Sequence, residues 1–235
     1  MSQLQVVGPR LWRFESQIKL PGGVPFPVAM SVVQLADGSV LLHAPLKIDD
    51  ALAAEIEAIG PVAHLVAPNL LHHLFVGHAQ QRWPQARTHA VAGLDQKRPD
   101  LRIDEVLGQE LHASLRDDLD GFVMNAAPTF RETPFFHRPS GTLLATDLIF
   151  HVKKADALST QLVMRLTGTY GKLAMSRAWR FATKDKPGAA AAAERILAWE
   201  IQKLAPVHGT VVDDDAKNRL AATLAWMRGA RARAA

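Results

Sequence analysis

The sequence predicts an α/β fold in which two layered β-sheets are flanked by helices. Three observations carry that expectation. The first hundred residues alternate as β-hairpin, helix, strand, helix, strand, and the second half repeats the alternation. Strand-length apolar runs lie on both sides of the helical segments in each half, which suggests a layered sheet sandwich. At 235 residues, with 48% hydrophobic and 21% charged, the chain is long and apolar enough to bury a sizeable core as a single domain over 1–235.

The elements follow in order. Residues 5–20 are extended with partly alternating apolar positions, and PGGVPFP at 21–27 reads as a turn-rich connector. AMSVVQLADGSVLLHAP reads as a hairpin turning at Asp37-Gly38. Ile48 to Ile59 is an amphipathic helix. Asp49 or Asp50 is its cap, Leu52, Ile56 and Ile59 share a face, and Gly60-Pro61 ends it. A strand at 63–67 runs into Pro68-Asn69, then His72-His73, then a helix to about Arg82, and a further strand lies in 86–92. Residues 93–105 form a polar loop. Phe122–Asn125, Glu132–His137 and GTLLATDLIF (141–150) read as strands, and Lys153 to about Tyr170 as partly helical. The segment 187–206 reads as one helix with proline at each end, 207–212 as a short strand and turn, and the run from Ala216 as a last helix capped within Asp213–Asp215.

Composition narrows the chemistry. No cysteine is present, which excludes disulfides, thiolate catalysis and zinc-finger sites and leaves histidine and carboxylate as the strong metal ligands. No apolar run approaches the ~20 residues of a membrane span. The N-terminus lacks a basic stretch followed by a long apolar core, so a cytoplasmic protein with no membrane partner is expected. The net charge of +4 is partly carried by Arg228, Arg231 and Arg233, in and beside a tail (229–235) expected to be flexible. With one tyrosine and no basic patch interleaved with aromatics, nucleic acid is not expected as a partner, and the positive charge suits a small anionic substrate.

Four spots fall at strand ends or in the turns after them: His72-His73, His137, Asp147 and His208. Strands ending on one edge of a sheet bring such side chains together, and an N/O set of that kind suits zinc, iron(II) or manganese. A carboxylate such as Asp147 in a buried strand requires a partner or a metal; Arg138 or Ser140 would be the structural alternative.

PNLLHHLFVGHAQQRWPQA, KRPDL, FFHRPSGTLLATDLIF and PVHGT, taken in order, resemble the metallo-β-lactamase-like superfamily. They are closest to a domain family of unknown function within it, over about residues 28–215. The resemblance implies an αββα sandwich with metal at one edge. Metal-active members carry His-x-His-x-Asp-His, and here His72 falls on the Asp, His73 on the final His, and Pro68 and Leu70 on the first two histidines. A register shifted by one, with Asn69 first and His73 on the Asp, stays open. His137, Asp147 and His208 resemble the later ligands. The resemblance thus implies one reduced metal position built from His73, Asp147 and His208, with His72 as a fourth ligand or a catalytic replacement for the missing Asp. His137, without its partners, is free to act as an acid or to hold a substrate oxygen. Arg138 and Ser140 beside it would bind an anionic substrate, and Asn69 would shape the histidine loop and bind the substrate with them. The expected function is a mononuclear, metal-dependent hydrolase-like protein acting on a small anionic ester, thioester or lactone. The alternative is a non-catalytic protein of the same fold that has lost its metal and binds a small molecule or a protein.

Overall fold

The computed structural model describes residues 3–229. All but Gly229 of the predicted basic tail therefore lies outside the described residues.

Seven strands form the first sheet in sequence order: β1 (Gln5–Gly8), β2 (Leu11–Leu20), β3 (Val24–Gln34), β4 (Val40–His43), β5 (Val62–Ala67), β6 (Arg87–Val91) and β7 (Glu105–Leu107). The first four pair antiparallel through tight turns, and β4 to β7 are parallel, linked through helices α1 (Asp50–Ile59), α2 (Val76–Arg82) and α3 (Leu94–Lys97). The second sheet holds β8 (Leu119–Gly121), β9 (Phe135–His137), β10 (Thr142–His151), β11 (Leu173–Ala174) and β12 (Lys203–Gly209). Its axis is β10. β9 and β11 pair antiparallel with the two ends of β10, and β12 runs parallel to it. Helices α4 (Leu158–Thr167), α5 (Arg177–Ala182), α6 (Lys186–Leu197) and α7 (Ala216–Leu224) complete the chain.

The layers follow from period-2 alternation. On β4, Leu41 faces the second sheet, where it meets Leu144 and Ala205, while Leu42 faces outward to Leu52 and Ile56 of α1. On β10, Leu144 points in and Leu143 points out, toward Ala193 and Ile196 of α6 and Leu220 of α7. Each strand thus feeds two cores, and the result is helix, sheet, sheet, helix, as predicted. Helix α1 begins as expected, with the Asp49 carboxylate accepting from Leu52 N at 2.8 Å. Among the described residues no helix is long and apolar enough to cross a membrane.

Four local expectations differ. The connector 21–27 contains the turn at Gly22-Gly23, but Val24–Pro27 already belong to β3. The polar loop contains the short helix α3, because Leu94 is buried. Phe122 to Met124 are buried without strand pairing, the strand lying just before them. The helix from 186 stops at Leu197, and residues 203–206 open strand β12, in which Leu204, Ala205 and Val207 enter three different cores. Tertiary alternation there outweighs the helical composition upstream.

Candidate metal centre

Strand β5 ends at Ala67, and Pro68 breaks the ladder. The following loop is sewn to residues 130–133: Leu70 N donates to Phe130 O and Thr133 N to Pro68 O. Inside the loop the buried Asn69 side chain replaces a helix cap. Its Oδ1 accepts from Leu71 N at 2.8 Å and His72 N at 2.7 Å, a turn that asparagine makes readily. That turn aims His72 into the protein.

Asp147 stands in the middle of β10, where the register with β12 slips between Ala145 and Phe150. In the slipped stretch, Thr146 N and Asp147 N bond not to a neighbouring strand but to the Glu132 carboxylate, at 2.7 and 3.2 Å. A carboxylate thus caps an irregularity that re-aims a side chain. Thr146 Oγ1 also donates to Glu132 Oε2. Asn69 Nδ2 lies 3.0 Å from Glu132 Oε2, 2.8 Å from Thr146 Oγ1 and 2.7 Å from Asp147 Oδ2.

His208 comes from the end of β12. Its Nδ1 donates to Pro27 O at 2.8 Å, and its ring stacks on Phe150 and meets the edge of Phe26. Arg13, buried beneath β12, donates to Pro206 O at 2.7 Å and to Gly209 O. Gly209 has φ +105°, and a Cβ there would sit 2.1 Å from His151 O, so this close approach demands glycine.

Three elements therefore deliver one cluster. His72 Nε2 lies 3.3 Å from Asp147 Oδ2 and 3.2 Å from His208 Nε2, and His208 Nε2 lies 3.7 Å from Asp147 Oδ1. Ligand atoms of all three residues fall within 4.8 Å of one another, the one such group among the described residues. Because Nδ1 of His208 is the donor to Pro27, Nε2 of the neutral ring presents a lone pair to the centre. Burial alone would raise the Asp147 carboxyl, but the facing charge of His72 and its hydrogen bond hold it below the usual range. Burial works against the charged His72 ring too, and Asp147 outweighs it, so His72 is pushed up. Burial pushes His208 down. Glu132 is raised, first by burial and then by the charge of Asp147. A lone-pair nitrogen, an ionised carboxylate and a second imidazole around one point form a donor set that fits a divalent ion of the zinc, iron(II) or manganese type. Asn69 and Glu132 supply the supporting bonds such sites require.

The sequence-predicted residues fare differently. His72, Asp147 and His208 come together. His73 lines the same cavity but does not join the cluster: its Nδ1 accepts from Arg98 at 3.1 Å, and burial with the nearby Lys97 and Arg98 pushes it down to about 4. The Asn69 turn decides which of the adjacent histidines faces inward, so the residues that could hold an ion are His72, Asp147 and His208 rather than His73, Asp147 and His208. His137 is corrected as a catalytic candidate. It pairs with Thr142 at the start of β10, five residues before Asp147 and roughly 15 Å along the strand. There the buried His137 donates from Nδ1 to Ser140 Oγ at 2.7 Å, and the Ser140 hydroxyl donates in turn to Thr142 Oγ1 at 2.8 Å. Arg138, paired with Asp120 at 2.7 Å, stays at that same end, so neither it nor Ser140 lines the site's cavity. Asn69 is fully engaged by protein groups and positions the site rather than binding substrate. Glu132 and Thr146 were missed. A lone glutamate at the start of a predicted strand carries no sequence signal; the strand begins only at Phe135, and the fold alone sets Glu132 beside the β10 irregularity.

The centre forms part of the wall of a cavity of about 580 Å³, a volume within the usual small-molecule range. The other walls are mainly apolar, from Ile18, Phe26, Leu46, Phe130, Phe150 and Val163, and Lys97 is the one Lys or Arg among the lining residues.

The fold is shared with solved metallo-β-lactamases. FIM-1 from Pseudomonas aeruginosa in its mono-zinc form matches with 16% identity over 96% of this chain and 95% of that one, at a TM-score of 0.62. The enzyme from Erythrobacter litoralis, solved with β-mercaptoethanol in the active site, matches with 14% identity over 95% and 96%, at 0.64. The enzyme from Hirschia baltica matches with 11% identity over 94% and 96%, at 0.61. At such identities the likeness is one of fold. The family profile of a domain of unknown function, DUF4336, matches residues 9–94, which include the His72 loop but neither Asp147 nor His208. No curated protein sequence matches the chain.

Proposed function

We propose that this chain, built on the metallo-β-lactamase fold, is a mononuclear metal-dependent hydrolase of a small ester, thioester or lactone. The observation that carries the reading is the convergence of His72, Asp147 and His208 within 4.8 Å on the wall of the apolar cavity. Three protein ligands with an open side toward a cavity are the usual catalytic arrangement, whereas structural sites close all four positions. A single group of ligand atoms among the described residues supports one ion rather than two. Zinc leads on the two-imidazole, one-carboxylate set, with iron or manganese as alternatives. When bound, such an ion supplies Lewis acidity and a water-derived nucleophile at neutral pH.

The chain's own part is to hold and orient. Pro27 O fixes the His208 tautomer, and Phe26 and Phe150 shield that ring. Asn69 orients the Asp147 carboxylate, and Glu132 fixes the backbone beneath it. His72 Nε2 faces Asp147 Oδ2 at 3.3 Å, and it would have to be deprotonated for both groups to hold an ion. An anionic group on the substrate would meet Lys97, whose Nζ donates to Leu70 O at the cavity wall. Steady-state hydrolysis of a panel of aryl esters, thioesters and lactones tests the reading. Turnover that needs added zinc and is lost in Asp147→Asn supports it; no turnover with any of the three metals overturns it.

A further inference from the structure

The cavity is built for something longer than its reactive end requires. From the His208 ring the wall continues over Phe26 and its cross-strand partner Ile18 to Leu20, near the tip of the β2–β3 hairpin, about 7 Å further along β2. Leu46 lies on the chain after β4, and Val163 comes from α4. Leu71 and Leu74, beside the histidine loop, line the cavity while remaining 42% and 57% exposed. On α4, next to Val163 and Thr167, Leu158, Leu162 and Leu166 recur at every fourth position and stay exposed. The apolar character therefore extends from the centre to solvent, with Lys97 the one permanently charged cation on the way. A polar sugar or a peptide would leave hydrogen-bonding groups unmatched against such walls.

We infer that the cavity holds an aliphatic acyl chain. The substrate is an ester or thioester of a medium-length fatty acid, its carbonyl at His72, Asp147 and His208 and its chain running past Phe26 and Ile18 toward Leu20. The cleaved bond rests on the hydrolase reading above; the chain-binding half rests on the cavity. In hydrolysis, water adds to the carbonyl carbon, the acyl–oxygen or acyl–sulfur bond breaks, the alcohol or thiol leaves with one of the water's protons, and the other proton goes to solvent, giving the free alkanoate.

Two measurements on the full-length protein separate the halves. In the first, sodium alkanoates from butanoate to dodecanoate displace an apolar fluorescent probe from chelator-treated protein. Each added methylene is expected to tighten binding roughly fourfold, the value of one buried methylene, until the cavity is filled. Val163→Trp, which fills the cavity from its α4 wall, is expected to weaken dodecanoate at least tenfold and leave butanoate within twofold. Ile18→Trp serves the same purpose from β2 if the α4 variant is poorly folded by circular dichroism. Affinity that does not rise with chain length, or Trp variants that leave dodecanoate unchanged, overturns the inference. In the second, p-nitrophenyl esters of the same acids are assayed with zinc. A kcat/KM that climbs with chain length supports both readings. Chain-length-dependent binding without turnover supports the acyl cavity and overturns hydrolysis, and turnover with no chain preference does the reverse.

Discussion

Replacing Asn69 by aspartate changes one group and tests the frame of the site. The Oδ1 bonds from Leu71 N and His72 N survive, since an aspartate accepts equally well. The amide nitrogen, however, faces Glu132 Oε2, Thr146 Oγ1 and Asp147 Oδ2 at 3.0, 2.8 and 2.7 Å. It has two hydrogens, so two donated bonds are lost, at roughly 1.5–3 kcal/mol each where the acceptor is a carboxylate. A third carboxylate then joins two buried ones, one of which Asp147 has already raised. The expected loss at pH 7 is about 3–6 kcal/mol, a large part of the ~5–15 kcal/mol that holds a domain folded. Asn69→Ala, which loses the bonds without adding charge, should lose about 2–4 kcal/mol. The new carboxyl is held above its unfolded value of ~4, so its penalty is present above that pH and fades as pH falls toward it. Urea unfolding of the three proteins at pH 7 and pH 5 measures this through the midpoint and slope. If Asn69→Asp matches the parent within about 0.5 kcal/mol, Asn69 faces solvent and the frame described here is wrong.

Other perturbations probe the surroundings. Burial, with Arg10 next, pushes His137 down to about 4, so its neutral form is preferred in the folded chain. The unfolded ring takes a proton near pH 6.5, so His137 should cost stability at roughly 1.4 kcal/mol per unit as pH falls from ~6.5 toward 4, and His137→Phe should flatten that acid limb in thermal melts. Gly209→Ala forces a Cβ to 2.1 Å from His151 O at φ +105°. It should lower stability by roughly 2 kcal/mol or more and weaken metal binding through His208, read by calorimetric titration with zinc. Arg138→Ala breaks a half-exposed ion pair with Asp120 away from the centre. A change below ~1 kcal/mol in stability and none in zinc affinity or ester turnover is expected.

The sandwich was legible because its signals are local and repeated. The two Val/Leu-rich runs joined at Asp37-Gly38, the strongly apolar run at 141–150, the Asp49 cap and the Gly60-Pro61 stop each appear as predicted. Asp147 and His208 were legible because they sit on or beside such apolar runs, although Asp147 stands mid-strand rather than at a strand end. The choice between His72 and His73 was not, since it depends on an asparagine side chain closing a turn three residues earlier. His137 misled for a related reason: a histidine at a strand end reads the same whichever end of the sheet it occupies, and only the β9–β10 register places it. Glu132 was invisible because its role is to answer two backbone N–H groups freed by a slip in register. That slip is a property of two strands together. The cavity walls likewise come from β2, β3, α4 and several loops, which no local pattern links.

The centre itself is tested most directly by native mass spectrometry of the full-length protein titrated with zinc, beside its single-alanine variants. One ion per chain, retained in His73→Ala and lost in both His72→Ala and His208→Ala, is the expected result. No bound ion in the parent protein, or an ion that depends on His73 and not on His72, would contradict the assignment.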